Sequence, residues 1–182
     1  AGLLATLLTM GSAAAQTVKL QTTEGDIRIE LNAEKAPKSV ANFLQYVRAG
    51  HYNGVVFHRV IPNFMVQTGG YDAKLNQRPT KPPIPLESHN GLSNVRGSVA
   101  MARTGDPNSA TSQFFINVVD NPFLDGEATD PRSGYAVFGK VVAGMDVVDK
   151  IRAAETKSAG MHENLPVKPI LITKALVEPV KK

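Results

Sequence analysis

The chain is cut by glycine and proline into short runs in which apolar and polar residues alternate, and that spacing limits it to a fold built chiefly of β-strands. Val18-Lys19-Leu20-Gln21 and Ile27-Arg28-Ile29-Glu30-Leu31 both alternate, and Thr22–Asp26 between them supplies a turn, so the segment reads as a hairpin with one buried face. Further β-type runs follow at Val55–Phe57, Phe64–Gln67, Ser98–Met101, Gln113–Val118, Tyr135–Val142 and Ile170–Val177. Eight strands separated by turns, in a chain with 15 Gly and 12 Pro, predict a mainly β fold: a closed antiparallel β-barrel, which leaves no free edge. The bulky Ile, Val, Leu and Phe content of the runs predicts a filled interior rather than a hollow ligand barrel.

Two helices would cap the barrel. Pro37 suits the first position of one and Gly50 the residue past its end. Ala36, Val40, Phe43, Leu44 and Val47 make one apolar stripe, with Lys38, Asn42, Gln45 and Arg48 outside it. The second is expected over Asp146–Ala153, with Val147, Val148 and Ile151 inward. Asn76–Pro85 carries four prolines and must be extended loop, and Gly126–Gly134 is a polar excursion.

The first residues do not fit this pattern. Ala1–Met10 is apolar and is followed by the small-residue run Ala13–Ala15, the form of a signal-peptide core and its A-x-A cleavage site. Residues 1–15 are therefore read as a signal-peptide remnant and 16–182 as a single domain, exported and without stable membrane insertion, since Ala1–Met10 is shorter than the ~20 residues a span requires.

Absences narrow the chemistry. With no cysteine there is no disulfide, thiol nucleophile or Cys-ligated zinc. His51, His58, His89 and His162 are scattered, with no pair at ligand spacing, and no phosphate-binding glycine loop or G-x-S-x-G is present, so neither metal nor cofactor is expected. The net charge of +4 comes from basic residues interleaved with acids, the pattern of a solvated surface rather than a nucleic-acid site. What remains are two blocks, Phe57–Gly70 (FHRVIPNFMVQTGG) and Val99–Val119 (VAMARTGDPNSATSQFFINVV). Each mixes large apolar residues with a few strong hydrogen-bonding groups (Arg59, Gln67, Arg103, Gln113), the make-up of a ligand pocket. Phe64, Met65, Phe114 and Phe115 could equally be core. In an alternating strand, however, Phe114 and Phe115 point to opposite sides, so one faces the core and the other something else.

The first block, together with S-Q-F-F-I-N at Ser112–Asn117, F-L-D-G at Phe123–Gly126 and Y-A-V-F-G-K-V at Tyr135–Val141, resembles the cyclophilin family of peptidyl-prolyl isomerases, most of all its exported, periplasmic bacterial members. The resemblance runs from about Val18 to Val177 in the family's order and spacing. It implies an eight-stranded antiparallel barrel capped by two α-helices, with the active site on the barrel's outer face. By motif position, Arg59 matches the family's catalytic arginine, and Phe64, Met65 and Gln67 its neighbours in the first block. Ala102 and Arg103 fall where substrate backbone binds, although many members have Asn in place of Arg103. Gln113, Phe115 and Leu124 match the glutamine, phenylalanine and leucine of the pocket.

Phe123 stands where many eukaryotic relatives carry Trp, and Tyr135 where they carry His; without the indole N–H, weak cyclosporin binding is expected, while Tyr135 keeps an aromatic wall. Asn63, where Gly is common, is expected in a turn and able to take a left-handed backbone. The resemblance implies an enzyme, a monomer without cofactor, acting on proline-containing segments of exported chains as they fold. The rival reading is a non-catalytic module that grips proline segments in the same groove. His58 is read as structural.

Overall fold

The computed structural model describes residues 15–180, so the leader expected over residues 1–15 lies, apart from Ala15, outside the described residues. Eleven strands and two helices follow in the order β1 (Thr17–Thr22), β2 (Gly25–Leu31), α1 (Pro37–Arg48), β3 (Val55–Val56), β4 (Arg59–Ile61), β5 (Met65–Thr68), β6 (Ser98–Met101), β7 (Phe114–Asn117), β8 (Val137–Ala143), α2 (Met145–Arg152), β9 (Thr156–Ala159), β10 (His162–Pro166) and β11 (Leu171–Val177). Nine strands form one sheet in the order β3-β11-β1-β2-β8-β6-β7-β5-β4, and β9 and β10 form a separate hairpin. Every pairing is antiparallel.

The mainly β architecture with two helices is as expected; the strand count is corrected. The segment 55–61 splits in two because the chain changes partner at its middle. Phe57 N–H donates to the Ile170 carbonyl at 2.9 Å, whereas His58 N–H donates to the Gln67 carbonyl at 3.1 Å. The sheet's two outermost strands, β3 and β4, are thus separated only by Phe57 and His58, and among the described residues no ladder joins them. The sheet curls around one core to which both edges contribute, Val55 from β3 and Val60 from β4, together with Val18, Ile29, Val99, Phe114, Phe138 and Ile172.

Both helices cover this core. In α1 the predicted stripe is buried, and so are Ser39, Asn42 and Tyr46. Asn42, expected outside the stripe, instead donates its amide to the Thr111 carbonyl at 2.6 Å, a partner far away in sequence. No side chain of its own caps this helix; Glu87, at the end of the proline-rich loop, accepts from the N–H groups of Lys38 and Ser39 at 3.2 and 2.6 Å and from Ser39 Oγ at 2.7 Å. A carboxylate there satisfies free N–H groups and meets the positive end of the helix dipole. Before α2, Gly144 takes φ +94°, and a Cβ at that position would run into the Asp26 carbonyl oxygen, so the chain needs glycine to turn from β8 into the helix. Asn63 lies in the turn between β4 and β5, but among the described non-glycine residues only Leu75 and Asn164 have positive φ, which corrects the left-handed backbone expected for it.

One buried polar network ties the sheet to the loops above it. Asn117 donates to Asn94 Oδ1 at 3.0 Å and Ser98 Oγ at 2.8 Å, and accepts from Asn121 Nδ2 at 2.8 Å. Asn121 also donates to the Phe64 carbonyl at 2.9 Å, and Asn94 to the Leu124 carbonyl at 3.2 Å. Leaving such groups buried and unpaired costs about 1–3 kcal/mol each. Replacing Asn117 with Ala is therefore expected to lower unfolding stability by about 2–4 kcal/mol, measured by urea denaturation, with loss of order at Phe64 and Leu124.

Candidate active site

Side chains on β4–β8 alternate between two faces, and each face has its own apolar cluster. Val60, Val66, Val99, Met101, Phe114, Ile116 and Phe138 point into the main core. Their neighbours Met65, Ala100, Phe115 and Val137 point outward and join Leu124 in a second cluster, flanked by Ile61, Phe64, Ala102 and Tyr135. The adjacent pair Phe114 and Phe115 thus divides as the alternation requires, one to each face.

On the outer face the register places Arg59 opposite Gln67, Gln67 opposite Phe115, and Phe115 opposite Ala100, one transverse row across β4, β5, β7 and β6. Above this row lies a cavity of about 320 Å³ lined by Arg59, Phe64, Met65, Gln67, Ala102, Arg103, Phe115, Leu124 and Tyr135. The floor is apolar, made by Met65, Phe115 and Leu124, all buried. Arg59 is exposed at one end, and among the described residues no carboxylate lies within 4.0 Å of it.

Two of the expected site residues lie outside this lining. Gln113 stands behind Gln67, accepting from its Nε2 at 2.9 Å, and so fixes which way the Gln67 amide faces. It occupies space that exists only because residue 70 is glycine, since a Cβ there would meet the Gln113 side chain at 2.6–2.9 Å. Phe123 is 71% exposed and stacks on Phe64 with ring centroids 5.6 Å apart, which makes it an outer rim rather than a wall. At the far end, the Arg103 guanidinium lies 4.7 Å from the centre of the Tyr135 ring, and Tyr135 meets Phe115 edge-on at 5.8 Å.

His58, next to Arg59, is buried, and its Nδ1 has no partner. It packs against Tyr71 and His162, at 4.8 and 6.1 Å between ring centroids. Burial above all, then the neighbouring His162 and the Arg59 charge, pull its pKa down to about 4, against a smaller opposing effect of the Gln113 side chain. The imidazole beside Arg59 is therefore neutral at neutral pH.

Sequence reasoning did not single out Asn94 and Asn121, which hold the rims of the cavity through the Phe64 and Leu124 carbonyls. Nor did it find the β9–β10 hairpin, which places His162 against His58. The signal that could have pointed to the network is Asn117, a polar residue interrupting the apolar run Phe114–Val119.

Comparison with known proteins gives one family. Residues 17–177 match the family described as cyclophilin type peptidyl-prolyl cis-trans isomerase/CLD. The chain is 52% identical over 175 residues to a peptidyl-prolyl cis-trans isomerase of Acinetobacter baylyi, covering 96% of this chain and 92% of the relative. It is 50% identical over 161 residues to peptidyl-prolyl cis-trans isomerase B of Escherichia coli K12, covering 88% and 98%. Among solved structures, a cyclophilin type isomerase of Cryptosporidium parvum, crystallised in the presence of the dipeptide Ala-Pro, superposes with a TM-score of 0.75 at 26% identity, covering 91% of this chain and 100% of that one. The nine-stranded sheet with its outward-facing groove thus belongs to a member of the cyclophilin type peptidyl-prolyl cis-trans isomerase family.

Proposed function

We propose that this isomerase works by aiming the Arg59 guanidinium at the nitrogen of a proline whose ring sits on the apolar floor of Phe64, Met65, Phe115 and Leu124. The observation that carries the reading is the transverse row: an unpaired guanidinium, an oriented amide and an aromatic ring in register on one exposed face. The Ala-Pro dipeptide present with the Cryptosporidium relative supports proline-containing peptides as the substrate class.

The chemistry follows from the amide. Rotation about C–N costs ~18–20 kcal/mol because it destroys resonance. In the planar ground state the prolyl nitrogen shares its lone pair with the carbonyl and accepts hydrogen bonds poorly. At the twisted transition state the pair is localised and accepts well. A donor fixed at that nitrogen therefore favours the transition state over the substrate, which is the condition for catalysis. Arg59 supplies a permanent charge and a rigid fork of N–H groups. Gln67, held by Gln113, is placed to bind substrate carbonyl or amide on one side of the bond while the other side turns. A charge-assisted bond of ~1.5–3 kcal/mol supplies only part of the barrier reduction; desolvation on the apolar floor and the grip on the flanking residues supply the rest.

The physiological substrates we propose are exported chains that are still folding. The apolar Ala1–Met10 stretch and the Ala13–Ala15 run support this. Recovery of the full-length product in the cytoplasmic fraction, with its leader uncut, would contradict it.

In a prolyl-tetrapeptide assay, Arg59→Ala is expected to lower kcat/KM by about 10²–10³-fold while peptide binding, followed by NMR titration, persists. Equal turnover by both proteins removes this mechanism, and binding without turnover in the wild type leaves only a proline-gripping module. Because the His58 imidazole stays neutral well above a pKa of about 4, kcat/KM is expected to be flat from pH 6 to 8. A bell-shaped profile there would instead point to an acid–base pair.

A further inference from the structure

The groove holds a second guanidinium whose role the isomerisation step leaves open. Arg103 follows β6, at the end of the groove opposite Arg59, and its side chain is half-buried. Three contacts with main-chain carbonyls fix it: Nε to Gly134 at 3.0 Å, Nη1 to Thr104 at 2.9 Å and Nη2 to Arg132 at 3.5 Å. The Tyr135 ring covers one side of it. A guanidinium carries five N–H groups, so this cage leaves two of them for a ligand.

The charge of Arg103 is uncompensated. No acidic residue lines the cavity, and among the described residues neither Arg59 nor Arg103 meets a carboxylate within 4.0 Å. Of the acids in the bordering loops, Asp125 accepts from the Asn94 N–H at 2.7 Å, Glu127 is exposed outside the cavity lining, and two are engaged in their own turns. Asp106 accepts from the Asn108 N–H at 2.9 Å and Asp130 from the Arg132 N–H at 2.9 Å. The substrate groove is therefore lined by two positive charges, of which Arg103 is held in place, and by no negative one. Arg59 lies on β4 and Arg103 just past the end of β6, three places away in the sheet, ~14 Å measured across the strands at the usual spacing, which is about the length of four extended residues. A tetrapeptide lying across the sheet with its proline on the apolar floor spans both charges.

We infer that Arg103 is a specificity-determining residue, and that the isomerase prefers proline segments with an aspartate or glutamate within two positions of the proline over those with lysine or arginine there. This rests on the proposed seating of proline beside Arg59. A carboxylate reaching the two free N–H groups would gain a charge-assisted contact without having to order the arginine, which the carbonyl cage and Tyr135 already hold. A lysine in the same place meets two like charges.

The experiment uses the full chain and prolyl peptides that differ only in carrying Glu, Gln or Lys at each of the two positions on either side of proline. At low salt, kcat/KM is expected to be about three- to tenfold higher for Glu than for Lys at one or more of these positions, with Gln between. The ratio should shrink toward one in 0.5 M NaCl, where screening acts within roughly 4–5 Å. Arg103→Gln is expected to reduce the ratio to less than half its wild-type value, and Arg103→Lys to keep most of it; because each ratio is taken within one protein, a general loss of activity cancels. Equal rates for Glu and Lys at every position, with normal turnover of the Gln peptides, overturn the inference and leave the isomerase mechanism standing. A preference that Arg103→Gln leaves unchanged also overturns it. Failure to turn over any of the peptides would overturn the mechanism itself.

Discussion

In a sheet wrapped around a dry core, successive side chains must go to opposite faces, and at β7 this fixes where the site can be. Phe114, Ile116 and their neighbours on β5, β6 and β8 fill the interior. Phe115 cannot join them, and with Met65, Ala100 and Val137 it is left facing outward. An apolar patch on an outer face is a cost unless something covers it. Here Leu124 and the Tyr135 side chain cover it partly and leave a groove of about 320 Å³. The same register that closes the core therefore lays Arg59, Gln67 and Phe115 side by side on the surface.

The rims of that groove are set by polar contacts rather than by packing. Asn94, Asn117 and Asn121 link the end of β7 to the Phe64 and Leu124 carbonyls, and the Gln67–Gln113 pair sets the amide beside Arg59. Each member of such a network is satisfied by another, which makes it stiff and also intolerant of losing any one of them. A reaction that forms no covalent bond depends heavily on this stiffness, because its rate comes from where donors point and how well they stay there.

The β-rich class, both helices and the division of Phe114 from Phe115 were legible in the sequence because they follow from the period of apolar residues. What was not legible depends on partners distant along the chain. Asn42 reads as a surface residue of an amphipathic helix until Thr111 is brought beside it. The β9–β10 hairpin has too little apolar alternation to read as strands; it turns at Gly160, and its pairing is interrupted within β10 at Asn164, both at positive φ. The run at Val55–Phe57 gives no sign that the chain will exchange β11 for β5 as its partner one residue later. In the site, motif positions found every residue that lines the groove, but not that Gln113 stands behind Gln67 or that Phe123 lies outside on the rim.

The whole account depends on the unpaired Arg59 charge meeting a proline nitrogen above the Phe115 floor. A crystal structure of this chain with a bound Ala-Pro-containing peptide tests it most directly. The account requires the pyrrolidine ring on Phe64, Met65, Phe115 and Leu124, with an Arg59 N–H on the side of the prolyl nitrogen and within about 3.5 Å of it. A peptide seated with its proline elsewhere, or an Arg59 side chain turned away from that nitrogen, would contradict it.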